Sequence, residues 1–182
     1  MKDKTVDQDE KFFVTGLETY LDAKSAVTMF ENEVQKRVKD VVKKHEPALK
    51  KLFGEEHWAL RGYLEPKSGM PDYRYLGQQV VFKGAGILYF YLCFGSDKEN
   101  YPNPIACVMF WRERVTDLAQ LWTSVKEISP EPDVCNSRFN SERIAPANDW
   151  ASCEKALNAV IRDWTKLWQK LGGLPKYLPK AR

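Results

Sequence analysis

Two apolar runs, Ile87–Phe94 (ILYFYLCF) and Ile105–Trp111 (IACVMFW), decide the fold, and the polar loop GSDKENYPNP (95–104) joins them. Each run has strand length and is rich in aromatic and β-branched residues. An antiparallel strand with one wet face alternates apolar and polar residues, whereas these two are apolar on both alternating faces. They therefore read as central strands covered on both sides.

Working outward toward the amino terminus, YRYLGQQVVFK (73–83) sets Leu76, Val80 and Phe82 against Tyr75, Gln79 and Val81. HWALRGYLE (57–65) sets Trp58, Leu60 and Leu64 against Ala59, Arg61 and Tyr63. Both patterns are those of half-exposed strands, and the turn chemistry of PKSGMPD (66–72) separates them. Four consecutive strands with short connections make an antiparallel meander. Before the sheet, Val27, Phe30, Val34, Val38, Val41 and His45 recur at helical spacing, starting near Asp22. Pro47 should break or restart that helix, and a short helix ALKKLF should end at Gly54. Residues 1–12 read as a loose end, with FFV (12–14) as a packing hook.

Beyond the second central run, Val115–Ile128 reads as one helix and Leu157–Leu171 as another. In the latter, Leu157, Val160, Ile161, Trp164, Leu167, Trp168 and Leu171 form one apolar stripe. Asp149 or Ser152 can cap its start, and Gly172-Gly173 stop it. The proline-rich stretch 129–150 has no helical period, and VCNSRFN (134–140) is its best place for an edge strand. Residues 174–182 read as a basic tail. The whole is a single α+β domain spanning 1–182: a four-stranded antiparallel sheet, an N-terminal helical segment and two C-terminal helices packed on it.

Charge excludes a strongly cationic nucleic-acid binder, since 28 basic residues face 25 acids for a net of +3. Locally it is uneven, with a net of −3 over 1–22 and +5 over 34–51. Four widely spaced cysteines, no leading apolar segment and no long apolar span fit a reducing cytoplasm, with Cys93 and Cys107 as free thiols inside strands.

No chemistry-bearing motif is complete. The two histidines, His45 and His57, have no metal-ligand spacing, and His45 continues an apolar helical stripe as a satisfied boundary residue. There is no nucleophile elbow, and GAG (84–86) lacks the lysine and helix of a phosphate loop. Pro71-Asp72 followed by Lys83 resembles the motif of restriction-endonuclease-like nucleases, in which an Asp and a Glu-x-Lys hold magnesium and steady the attacking water. Val81 stands where the second acid of that motif belongs, and the two-carboxylate grip is lost.

What remains is a set of residues of the types enriched at protein interfaces: Tyr101 in the central loop, Trp111, Arg112 and Arg114 at the end of the second run, and Arg138. The resulting expectation is a non-catalytic cytoplasmic protein that docks on or occludes a macromolecular partner, as immunity proteins, antitoxins and adaptors do. It involves no metal, no cofactor and no membrane. The alternative is a nucleic-acid-binding or nuclease-like protein using Lys36, Lys43 and Lys44 of the first helix with Asp72 and Lys83, and with Lys176, Tyr177, Lys180 and Arg182 of the tail.

Overall fold

A computed structural model describes residues 8–55, 58–66, 74–82, 86–94, 104–112, 123–124, 133–135, 138–145 and 149–177. Helix α1 (Gln8–Phe53) precedes strands β1 (Arg61–Pro66), β2 (Arg74–Phe82), β3 (Gly86–Phe94) and β4 (Ile105–Arg112). Then come β5 (Asp133–Cys135), β6 (Arg138–Ile144), helix α2 (Trp150–Leu171) and a 3-10 turn at Leu174–Tyr177.

The strands make one antiparallel sheet in the order β1-β2-β3-β4-β6-β5. The meander β1–β4 is the expected one. The sheet is nevertheless two strands wider than four. The anticipated edge strand within 134–140 is a hairpin, whose second arm β6 pairs with β4 and carries β5 outside it. Of the helix expected over 115–128, only Thr123 and Ser124 are described, and both are helical. Among the described residues one long helix, not two, follows the sheet.

The two central runs are covered on both faces, as their composition requires. Leu88, Phe90, Leu92, Ala106, Val108 and Phe110 face the helices and join the main core. Tyr91, Cys93, Cys107 and Met109 are buried in a second cluster, over which Tyr63, Tyr75 and Tyr89 lie. Cys93 stands opposite Ile105 and Cys107 opposite Tyr91, so neither is the other's register partner and no disulfide joins them. In β1 the expected alternation fails at its end. Leu64 is exposed while Tyr63 packs against Tyr89 at 4.6 Å between ring centroids, because this is the edge strand and Leu64 gains no cover from the helices.

Helix α1 corrects the sequence reading at three places. It starts at Gln8, inside the stretch that reads as a loose end. It runs through Pro47 without interruption, since a proline removes one backbone donor and the packing of Val41, Val42, Leu49, Leu52 and Phe53 holds both sides of that gap. And Phe13 and Val14 are no packing hook: they are 69% and 53% exposed. At the other end Gly54, at φ 98°, closes the helix in the left-handed region and donates its N–H to Lys50 O.

The core centres on Phe53. Its ring stacks on Trp164 (5.4 Å, 4° between planes) and contacts Trp168 at 4.9 Å and Phe82 at 5.5 Å. Helix α2 lies along the sheet by the expected stripe, with Leu157, Ile161, Trp164 and Trp168 at most 1% exposed. Asp149 caps it by accepting from Ser152 N at 2.9 Å, and Gly172 ends it in the left-handed region. The tail also joins the core. Leu174 and Tyr177 are buried, and Tyr177 Oη donates to Leu171 O at 3.1 Å.

Candidate interaction surface

The sequence-nominated residues divide into three groups. Tyr101, Arg114, Asp72, Lys83, Lys180 and Arg182 lie outside the described residues. Trp111, Arg112 and Arg138 come together at one end of the sheet, because the register sets Trp111 opposite Arg138 with Arg112 next along β4. Trp111 is 46% exposed there, across from Ile87, whose partner on the other side is the exposed Val81. The third group is the basic face of α1. Lys36 and Lys43 are exposed, but Lys44 is tied to Glu154 of α2. Tyr177 is 2% exposed, so its ring is closed to base stacking. Val81 pairs with Ile87 as an ordinary strand residue.

A feature the sequence reading did not isolate is the free half of α1. From residue 13 to residue 30 every side chain is exposed. Phe13, Val14, Leu17, Tyr20, Leu21, Val27 and Phe30 are each 47–69% exposed and lie on one side of the helix. That side is continuous with the stripe Val34, Val38, Val41 that is buried against the sheet one turn later. The chain therefore carries an apolar arm about 27 Å long, at 1.5 Å per residue, beyond its own core. The signal was available in the sequence as the run Phe13, Leu17, Tyr20 leading at spacings of three and four into Val27 and Val34. Lys24 and Glu31 interrupt that run at two positions.

The arm leaves the body at a defined root. Gln78, 4% exposed in β2, donates its Nε2–H to Gln35 O at 2.9 Å, while Gln35 Nε2 reaches Tyr63 O at 3.5 Å. One turn earlier Phe30 meets Phe94 edge-on at 5.4 Å. Beside them Arg37 lies 5.1 Å above the Trp150 ring and bonds Glu33, and its guanidinium holds the Glu33 carboxyl below the usual carboxylate range. A cavity of about 240 Å³ opens between Phe30, Val34, Leu92, Phe94, Trp150 and Cys153. It is apolar at its base and edged by Glu33, Arg37 and Asp149. The Cys153 thiol on its wall is pushed up by burial and by the Asp149 charge, the opposite of an activated nucleophile.

His45 is the satisfied boundary residue expected of it. Its Nε2 is 2.8 Å from Asn158 Oδ1, and Asn158 Nδ2 donates to Glu154 O, which turns Oδ1 toward the ring and makes Nε2 the donor. Among the described residues no group of three or more His, Cys, Asp or Glu is placed to hold a metal ion, and no helix is long and apolar enough to cross a membrane. No protein family, no curated protein and no solved structure matches this chain.

Proposed function

We propose that this chain is a non-catalytic protein-interaction module whose working surface is the free half of α1. The observation that carries this reading is the row of large apolar side chains from Phe13 to Phe30, exposed on a helix whose other half is anchored in the core. Contiguous apolar surface of that extent marks a site of association in folded proteins. A helix presenting anchors at i, i+3, i+4 and i+7 is suited to a partner's groove or a partner helix. Trp111, opposite Arg138 in the strand register, offers a second and smaller contact at the sheet end. Occlusion of a partner in the manner of immunity proteins, antitoxins or adaptors is the way such a module would act in a cytoplasm.

The arm also argues against phosphate as its target. Six acids (Asp9, Glu10, Glu18, Asp22, Glu31, Glu33) and two lysines (Lys11, Lys24) lie between residues 8 and 33. The test is capture from the source cell with the tagged chain and with Leu17→Glu/Leu21→Glu. Protein should be retained by the parent and lost by the variant, whose core, untouched by these side chains, still melts cooperatively. Retention of nucleic acid by both at physiological salt, with no protein difference, overturns the reading in favour of the lysine face.

A further inference from the structure

The apolar stripe of α1 keeps a seven-residue repeat across the point where the sheet ends. Counted back from the buried Val38 and Val34, the seam positions a and d are Val38, Val34, Glu31, Val27, Lys24, Tyr20, Leu17 and Phe13. The same repeat that seats the carboxyl half on the sheet is thus offered, uncovered, by the amino half.

We propose that the free half of α1 pairs with the same half of a second copy, antiparallel, about a two-fold axis beside Asp22. This rests on reading the arm as a binding surface, and it names the partner.

Four observations choose that occupant. The first is area. Seven side chains of that face, each 47–69% exposed, offer on the order of 100 Å² apiece. That makes about 700 Å² per copy, close to the ~800 Å² each partner gives to a stable interface. The second is charge. The flanking positions are Val14, Leu21 and Thr28 on one side and Gly16, Ala23 and Phe30 on the other, with no charge among them. Pairing about the two-fold axis sets Leu21 and Ala23 against their own copies, where a charge would repel itself, and no flanking residue carries one.

The third observation is direction. A parallel pair would set Lys24 against Lys24 and Glu31 against Glu31. In the antiparallel pair Leu17 is level with the partner's Val27, and Lys24 lies over the partner's Tyr20 ring, where a cation is favoured. The arrangement also keeps the two folded bodies at opposite ends. The fourth is Gly16. A glycine in mid-helix is destabilising by about 1 kcal/mol relative to alanine, and within one chain nothing lies within 4 Å of where its Cβ would be. In this pairing Gly16 faces the partner's Phe30 on the same flank, two residues from level, a small residue receiving a large one, while Leu21 and Ala23 each meet their own copies near the axis.

Sedimentation equilibrium of the full chain at about 50 µM should give twice the 21.1 kDa chain mass, since dimer populations rise with protein concentration. Leu17→Glu/Leu21→Glu should return the mass to one chain while the near-ultraviolet signal of the buried tryptophans is kept. Mild oxidation of Ala23→Cys should yield a covalent dimer in which residue 23 joins its own copy. Val14→Cys should not cross-link, because the two copies of residue 14 stand about 24 Å apart along the axis. A single-chain mass for the parent overturns the pairing, and lysate capture lost in the Leu17/Leu21 variant then shows that the arm binds some other protein. A dimer that survives the double substitution, or one that cross-links at residue 14 and not at 23, also overturns it.

Discussion

Gly77 shows how much a single position can be fixed by its neighbours. A Cβ there would come within 2.0 Å of Phe90 O and 2.7 Å of Tyr91 Cα, so the β2–β3 pair closes at that level only around a glycine. The rings of Tyr63 and Tyr91, whose strands flank β2 at this register, stand 6.1 Å apart over the gap. Gly77→Ala should therefore disrupt the sheet and fail to give a cooperative melt. Trp164→Ala and Trp168→Ala should each cost about 3–5 kcal/mol in denaturant unfolding, as deletion of a fully buried aromatic does. Their roles were legible, because the spacing of the α2 stripe names both. The tightness at Gly77 was not, since sequence periodicity says nothing about how closely two backbones approach. At the start of α2, hydrogen bonds from Ser152 hold the Asp149 carboxyl below its usual range. Its charged form is favoured in the folded state, so its contribution is complete above the unfolded carboxylate pKa and is lost as pH falls through the lowered folded value. Asp149→Ala should lower the melting temperature at neutral pH, and the difference from the parent should shrink progressively in acid.

At the level of elements, α1 departs most from its sequence. A helix that begins near Asp22 and breaks at Pro47 follows from local rules, and both bounds are overridden. Past Pro47 the burial of Leu49, Leu52 and Phe53 outweighs one missing backbone hydrogen bond. Pro47→Ala restores that bond at an exposed position and should stabilise the chain by about 1–3 kcal/mol. A lower melting temperature would instead show that the proline sets the direction in which Phe53 is aimed. The β5–β6 hairpin was half legible. Its turn-rich segment reads as an edge strand, but which arm pairs with β4 depends on register against a strand some thirty residues earlier.

For the molecule as a whole, two consequences follow from where charge lies. Lys36, Lys43 and Lys44 are all exposed on α1, with Lys44 also paired to Glu154 and the acid-rich arm next to them. Any retention on DNA or RNA should be weak at physiological salt and should fall further with each salt increment. Lys36→Glu/Lys43→Glu should change it little. Incubated with magnesium or manganese, the chain should leave single- and double-stranded nucleic acid intact, since Val81 stands where the second metal-binding acid of a nuclease would be. Metal-dependent cleavage abolished by Asp72→Asn would contradict this. Composition and periodicity alone determined the fold class, the two doubly covered strands, the meander and the buried face of α2, because each depends on where apolar residues recur within one segment. Tertiary structure decided which part of an apolar stripe is core and which is surface. Val38 and Leu17 occupy the same position of the α1 repeat, and nothing local distinguishes them. The sheet reaches one and stops short of the other, and burial is a property of what lies opposite a residue, not of the residue itself.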